Sequence, residues 1–164
     1  MTALVITEYE NFSIKDEENV VGLGINGKMN EAEAALGILQ LKHIDKCIKK
    51  RKAVFEFYYH NIKNIPGIRI NQIPNQVSYN YAYVPIFFEG RKKARDFVYK
   101  RMRKNNILCR KYWYPLINAQ PIYSNTKVNI PNAEKLSDGV LCLPIYPDIT
   151  FKELNKVLRV LKEV

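Results

Sequence analysis

The sequence has little with which to hold a metal. Its three cysteines, Cys47, Cys109 and Cys142, lie far apart with no CxxC pair, and its two histidines, His43 and His60, show no HExxH spacing. Such scattered thiols fit buried, reduced side chains better than a zinc site or a disulfide frame. Long apolar runs are also lacking. None approaches the roughly 18 residues that a membrane span needs, and the short ALVI near the start has neither the basic flank nor the length of a signal peptide. The expected compartment is the cytoplasm. Acidic residues are the third scarcity: 16 Asp and Glu stand against 26 Lys and Arg, a formal net charge of +10.

What is present suits a globular domain. A chain of 164 residues, 47% hydrophobic, can bury roughly 70% of the surface its unfolded form exposes. The positive charge concentrates in KKRK, Lys49 to Lys52, and in RKKARDFVYKRMRK, Arg91 to Lys104. Clustered cations beside aromatics suit a phosphate backbone or a phosphorylated small molecule, but a solvated helix face is the favoured reading.

Periodicity places the elements. Asn30 followed by Glu33 is a capping box, so a helix starts there. Ala34, Ile38, Leu41, Ile44, Ile48, Phe55, Tyr58 and Ile62 then recur at steps of three, four or seven until NIPG ends the pattern. One helix from Asn30 to Lys63 would reach roughly 50 Å, more than a domain of this size is wide, so it should leave one body and enter another, with a bend near Arg51 as the alternative. IRI and YNYAYVPIFF read as strands, with Pro85 confining the second to an edge or a bulge. The basic helix follows Gly90, with Ala94, Phe97, Val98, Arg101 and Met102 as its buried side, and ILCRKY reads as a third strand. YPLINAQPIY is a loop, and Pro131 opens the short helix PNAEKLSDG. The last helix is capped by Thr150 with Glu153 and carries Leu154, Val157, Leu158 and Leu161 on one side. This order describes an α/β body, a small sheet with helices on one face, hung from the long helix. ALVIT, before it, has the composition of a strand but no neighbour in this order to pair with.

GINGKMNEAEAALGILQLKHIDKC, PGIRI, NNILCRKYWYPL and PNAEKLSDGVLCLPIYPDIT together resemble the C-terminal part of the DegT/DnrJ/StrS family of sugar aminotransferases. The resemblance covers roughly Asn11 to Val164. It rests on four motifs in the family's order: G-x-N-x-K/R-M, the A-A-x-G-x-x-Q-L helix, the Y-x-Y-P-L loop and the L-P-x-x-P-x-(L/I)-T turn. It implies a fold of the aspartate-aminotransferase type (fold type I), with residues 1–29 a remnant of the large cofactor domain, 30–63 the connecting helix and 64–164 the small C-terminal domain. It further implies homodimers with shared active sites, pyridoxal phosphate as cofactor, and amino transfer, usually from glutamate, to the keto carbon of a nucleotide-linked deoxyhexose.

The resemblance assigns roles to particular residues. Asn26 would lie at the dimer interface and donate its amide to the cofactor phosphate held by the partner subunit. Gly22, Gly24 and Gly27 would let the backbone approach that anion. The alternative is a turn that only sets up the Asn30 cap. Lys28 would face the phosphate or the substrate's diphosphate, unless it simply faces solvent. In RKYWYPL the loop would line the sugar pocket, with Arg110, Tyr112 and Tyr114 binding substrate; sheet packing is the competing explanation for its aromatics. Many relatives carry a histidine soon after the P-L pair, where Ile117 and Asn118 stand here, which leaves the sugar open.

One departure matters most. Transamination needs a lysine amine, desolvated or otherwise tuned, to form a Schiff base with the cofactor. By resemblance that lysine lies upstream of the G-x-N motif, and no lysine here replaces it, so the chain is expected to be inactive alone and to associate with a copy or with a cofactor-domain partner. Two other functions compete. One is a nucleic-acid-binding module using the Arg91–Lys104 helix, although no helix-turn-helix, RNA-recognition or zinc signature accompanies the charge. The other is a non-catalytic domain that pairs with a full-length relative.

Overall fold

The computed structural model describes residues 29–119 and 128–163, and the chain divides into two compact units, Met1–Asp45 and Lys46–Val164. ALVIT and the GING bend, with Asn26 and Lys28, lie outside the described residues.

In the first unit, α1 (Glu31–Leu41) begins with the expected capping box. The Glu33 amide donates to Asn30 Oδ1 at 2.9 Å, and the Asn30 amide donates back to the Glu33 carboxylate at 3.3 Å. The two bonds satisfy two of the four amides that a helix start leaves free. The single helix expected from Asn30 to Lys63 is two helices. α1 stops at Leu41, a turn occupies Lys42–His43, and α2 spans Ile44–Ile62. The His43 amide bonds the Gln40 carbonyl at 3.0 Å, the three-residue spacing of a tightened turn. No proline or glycine stands at this turn, and the apolar period runs straight across it. Leu36, Ile38, Leu39 and Leu41 on α1 are all exposed.

The second unit is built around a three-stranded antiparallel sheet in the order β1 (Ile68–Ile70), β2 (Val84–Phe88), β3 (Val140–Leu143). Val54, Phe55, Tyr58 and Ile62 of α2 enter its core. α3 (Arg91–Lys104) packs on β2 and β3, and α4 (Pro131–Gly139) packs on α3 and β2. α5 (Phe151–Lys162) packs against α3 and buries Leu154, Val157, Leu158, Val160 and Leu161. Each of those side chains contributes about 1.5–3 kcal/mol of burial, against about 1 kcal/mol for the Thr150–Glu153 capping box. The apolar stripe therefore dominates what holds α5.

Three expectations are corrected here. β2 is the central strand, yet it contains Pro85, which pairs with Cys142 of β3. On its other side β1 reaches only Ile86, Phe87 and Phe88, so the missing proline N–H costs no bond to β1. ILCRKY forms no strand and contributes only an isolated bridge between Arg110 and Cys142. The third strand is VLCL, Val140 to Leu143, whose four residues are all buried. A strand buried on both faces shows no alternation for a sequence to betray. Finally, the buried side of α3 is not the one expected: Phe97 is 51% exposed, while Arg95 is fully buried beside Val98 and Met102.

Candidate functional site

The segment after α3 leaves the sheet at the Arg110–Cys142 bridge and folds into an aromatic wall. The Arg110 amide donates to the Cys142 carbonyl at 3.1 Å, and the Cys142 amide donates back at 2.8 Å, so the backbone of Arg110 is pinned to β3. From this anchor Arg110, Lys111, Tyr112, Trp113, Tyr114, Pro115 and Leu116 line a cavity of about 1070 Å³, with Tyr99, Asn118 and Ile130 among its other walls. The cavity is of the size and apolar-with-few-polar-groups character that small-molecule sites share.

Its aromatic rings are ordered by each other and by cations. Tyr112 meets Tyr83 edge-on at 5.1 Å and Trp113 at 4.7 Å, and Arg110 Nη1 donates to the Tyr112 hydroxyl at 2.9 Å. Tyr114 is flanked by the Arg95 guanidinium at 4.2 Å, Lys92 Nζ at 5.4 Å and Lys111 Nζ at 5.6 Å from its centroid. Lys111 also lies 4.4 Å over the Tyr99 ring. Cations at these distances are attracted by the ring quadrupole. Trp113 is 72% exposed.

Asp96 gathers the charge below the wall. It accepts from Lys111 Nζ at 2.6 Å and from Arg95 Nε at 2.9 Å. Partial burial alone would raise its carboxyl pKa, but the Lys111 hydrogen bond and the Arg95 and Lys111 charges outweigh that and hold it below the usual range. Arg95 Nη1 donates to the Ser137 carbonyl at 2.7 Å, and Ser137 Oγ donates to the Trp113 carbonyl at 2.6 Å. The structure thus brings Arg110, Tyr112 and Tyr114 into one wall, and Ile117 and Asn118 line the same cavity.

Sequence reasoning did not single out Arg95, Asp96, Lys111, Ser137 or Tyr83. A signal existed for Arg95, because it falls three and seven residues before Val98 and Met102 on the buried side of α3. A basic residue on an apolar stripe has to be paired inside.

A model of the DegT/DnrJ/EryC1/StrS aminotransferase family matches residues 3–162 of this chain. The chain belongs to that family. It is 44% identical to a dTDP-4-amino-4,6-dideoxy-D-glucose transaminase of Escherichia coli, a match covering 98% of this chain and 44% of the relative. It is 33% identical to a transaminase of the same description from Shigella dysenteriae, over 97% of this chain and again 44% of the relative. The chain thus spans less than half the length of these relatives. Helicobacter pylori PseC, an aminotransferase involved in the biosynthesis of pseudoaminic acid, superposes with a TM-score of 0.77 at 20% identity, over 97% of this chain and 44% of that one. The family match and this likeness make the fold that of the C-terminal part of fold type I sugar aminotransferases. Among the described residues no helix is long and apolar enough to cross a membrane, and no group of three or more His, Cys, Asp and Glu is placed to hold a metal.

The described residues beside the cavity do not fit pyridoxal phosphate as a covalent anchor. A Schiff base forms on a neutral amine. Lys111 is paired with Asp96, and the Tyr114 phenol beside Lys92 raises that amine's pKa.

Proposed function

We propose that this chain is the C-terminal portion of a pyridoxal-phosphate-dependent nucleotide-sugar aminotransferase, one that transfers an amino group from glutamate to a keto-deoxyhexose nucleotide for amino-sugar and polysaccharide synthesis in the cytoplasm. It supplies a substrate-binding wall, and the Schiff-base lysine comes from a portion outside it. Residues 1–29 belong to the cofactor domain, 30–63 connect, and 64–164 form the small domain. The active site is completed by association, in a homodimer or with a cofactor-domain partner, where Asn26 and Lys28 face the phosphate groups.

The observation that carries this reading is the convergence of Arg110, Tyr112 and Tyr114 on one cavity in a chain of this family. Arg110 has guanidinium donors for a diphosphate, and its bond to the Tyr112 hydroxyl holds that ring beside them. Tyr112 and Trp113 offer flat faces to a base or sugar, and Pro115 and Leu116 keep water from the apolar side. When bound, the cofactor supplies the electron sink for amino transfer. The wall's part is to orient the sugar toward it.

Titration of the chain with dTDP, followed by calorimetry, tests the reading. Saturable binding is expected, weakened at least about tenfold by the double substitution of Arg110 and Tyr112 to Ala, because charge-assisted contacts are worth about 1.5–3 kcal/mol. Absence of saturable binding refutes the wall. Pyridoxal phosphate added to the chain alone is expected to give no lysine-bound absorbance; a borohydride-stable adduct at one lysine refutes the division of labour.

A further inference from the structure

The deepest charge in this unit lies under the wall. Arg95 is fully buried on α3, in the place that Val98 and Met102 show to be apolar. Burying a guanidinium is costly even when it is paired, and an apolar side chain of the same volume often stabilises a fold as well or better. Its contacts point to a different job. Nη1 holds the Ser137 carbonyl at 2.7 Å, Ser137 Oγ holds the Trp113 carbonyl at 2.6 Å, and the guanidinium lies 4.2 Å over the Tyr114 ring. Through Nε it shares Asp96 with Lys111, the residue immediately before Tyr112. Lys111, Trp113 and Tyr114 are therefore each tied to Arg95 directly or through one residue. Nη2 is buried and finds no hydrogen-bond partner among the described residues, so the guanidinium is placed by its stacking and its two bonds rather than by full satisfaction of its donors.

We propose that Arg95 is the positioning residue of the aromatic wall: it fixes Tyr114 and, through Ser137, the Trp113 carbonyl in the arrangement that receives the nucleotide sugar. The role rests on the cavity being that substrate's site, and Arg95 itself touches no substrate. The planar face is essential to it, because a lysine keeps the charge but neither stacks flat nor bonds two groups at fixed angles.

Trp113 is the single tryptophan of the sequence, so its fluorescence reports the wall alone. Arg95→Met keeps the volume and leaves Asp96 paired with Lys111. It is expected to increase the fast depolarisation of Trp113 in time-resolved anisotropy and to weaken dTDP binding roughly tenfold, with the far-UV circular dichroism unchanged. Arg95→Lys should restore neither, and Ser137→Ala should loosen Trp113 to a smaller extent. Wild-type Trp113 mobility or wild-type dTDP affinity in Arg95→Met, or full rescue by Arg95→Lys, overturns the proposal. Should Arg95→Met fail to fold, Ser137→Ala and Tyr114→Leu decide it, since both leave the Asp96 pairs in place; wild-type Trp113 mobility in both overturns it. A wild-type chain that binds no dTDP, with Trp113 loosened in Arg95→Met, removes the substrate reading and upholds Arg95 as the residue that positions the loop.

Discussion

Replacing Asp96 with Asn removes the negative charge that Arg95 and Lys111 share while keeping the side chain's shape. Taking one partner from a buried ion pair costs about 3–5 kcal/mol, because the other charge is left uncompensated. Here the loss is smaller. Arg95 is fully buried but keeps the Ser137 carbonyl and the Tyr114 ring, and the Asp96 and Lys111 side chains are 29% and 21% exposed, so water screens part of the change. Asp96→Asn should therefore cost about 2–3 kcal/mol, a large share of the roughly 5–15 kcal/mol of a typical domain. Urea denaturation at pH 7, followed by Trp113 fluorescence, measures it as a lower midpoint at unchanged slope. The pH dependence separates charge from shape. Because the folded Asp96 carboxyl is held below its usual range, its contribution is present above the unfolded value of about 3.9 and is lost as pH falls through the folded value. The difference between wild type and variant should be full at pH 7 and shrink as the pH drops below about 4. A variant within about 0.5 kcal/mol of wild type at pH 7 refutes the argument, since that is the scatter of ordinary surface substitutions. So does a difference that survives acid.

The remaining predictions concern the core. Tyr58 is fully buried and donates its hydroxyl to the Pro144 carbonyl at 3.2 Å, so Tyr58→Phe should cost about 1–2 kcal/mol in chemical denaturation by leaving that acceptor unpaired. A neutral result would mean the bond contributes nothing. Burial pushes the Cys109 thiol up to about 12 and the Cys142 thiol up to about 11. Native chain treated with a thiol reagent near pH 8 should react first at half-buried Cys47, with the other two reacting only on unfolding; two fast equivalents would contradict the burial.

Local chemistry was legible in the sequence, and tertiary context was not. Asn30 with Glu33, and Thr150 with Glu153, announce their helix starts because a capping box is a contact between residues three apart. Leu154, Val157, Leu158 and Leu161 announce the buried side of α5 for the same reason. The break at Lys42–His43 is hidden because no helix-breaking residue marks it and the apolar spacing continues across it. β3 is hidden because four consecutive buried residues look the same in a strand and in a helix end. In the candidate wall, Arg110, Tyr112 and Tyr114 were legible through one contiguous motif. Ser137 was not, because its partner Trp113 lies twenty-four positions away and Arg95, which the packing of α4 on α3 brings to it, lies forty-two away.

The same packing bears on the large positive charge. Of the run RKKARDFVYKRMRK, Arg95 is buried and paired with Asp96, Arg101 pairs with Glu163 of the segment after α5, and Lys92 lies against the Tyr114 ring. The acid that balances Arg95 is itself part of the run. A helix built to grip a polyanion would turn its cations outward along one stripe, where each released counterion adds to affinity. Here three of them face inward or sideways, toward the wall and the last helix. Lys93, Lys100, Arg103 and Lys104 are exposed and share their surface with Phe97, which fits the solvated outer side of a helix whose inner side packs under the aromatic wall. Binding to duplex DNA should accordingly stay weak at physiological salt, and tight binding whose salt slope falls when the exposed Lys93 and Lys100 are replaced by Ala would refute this reading.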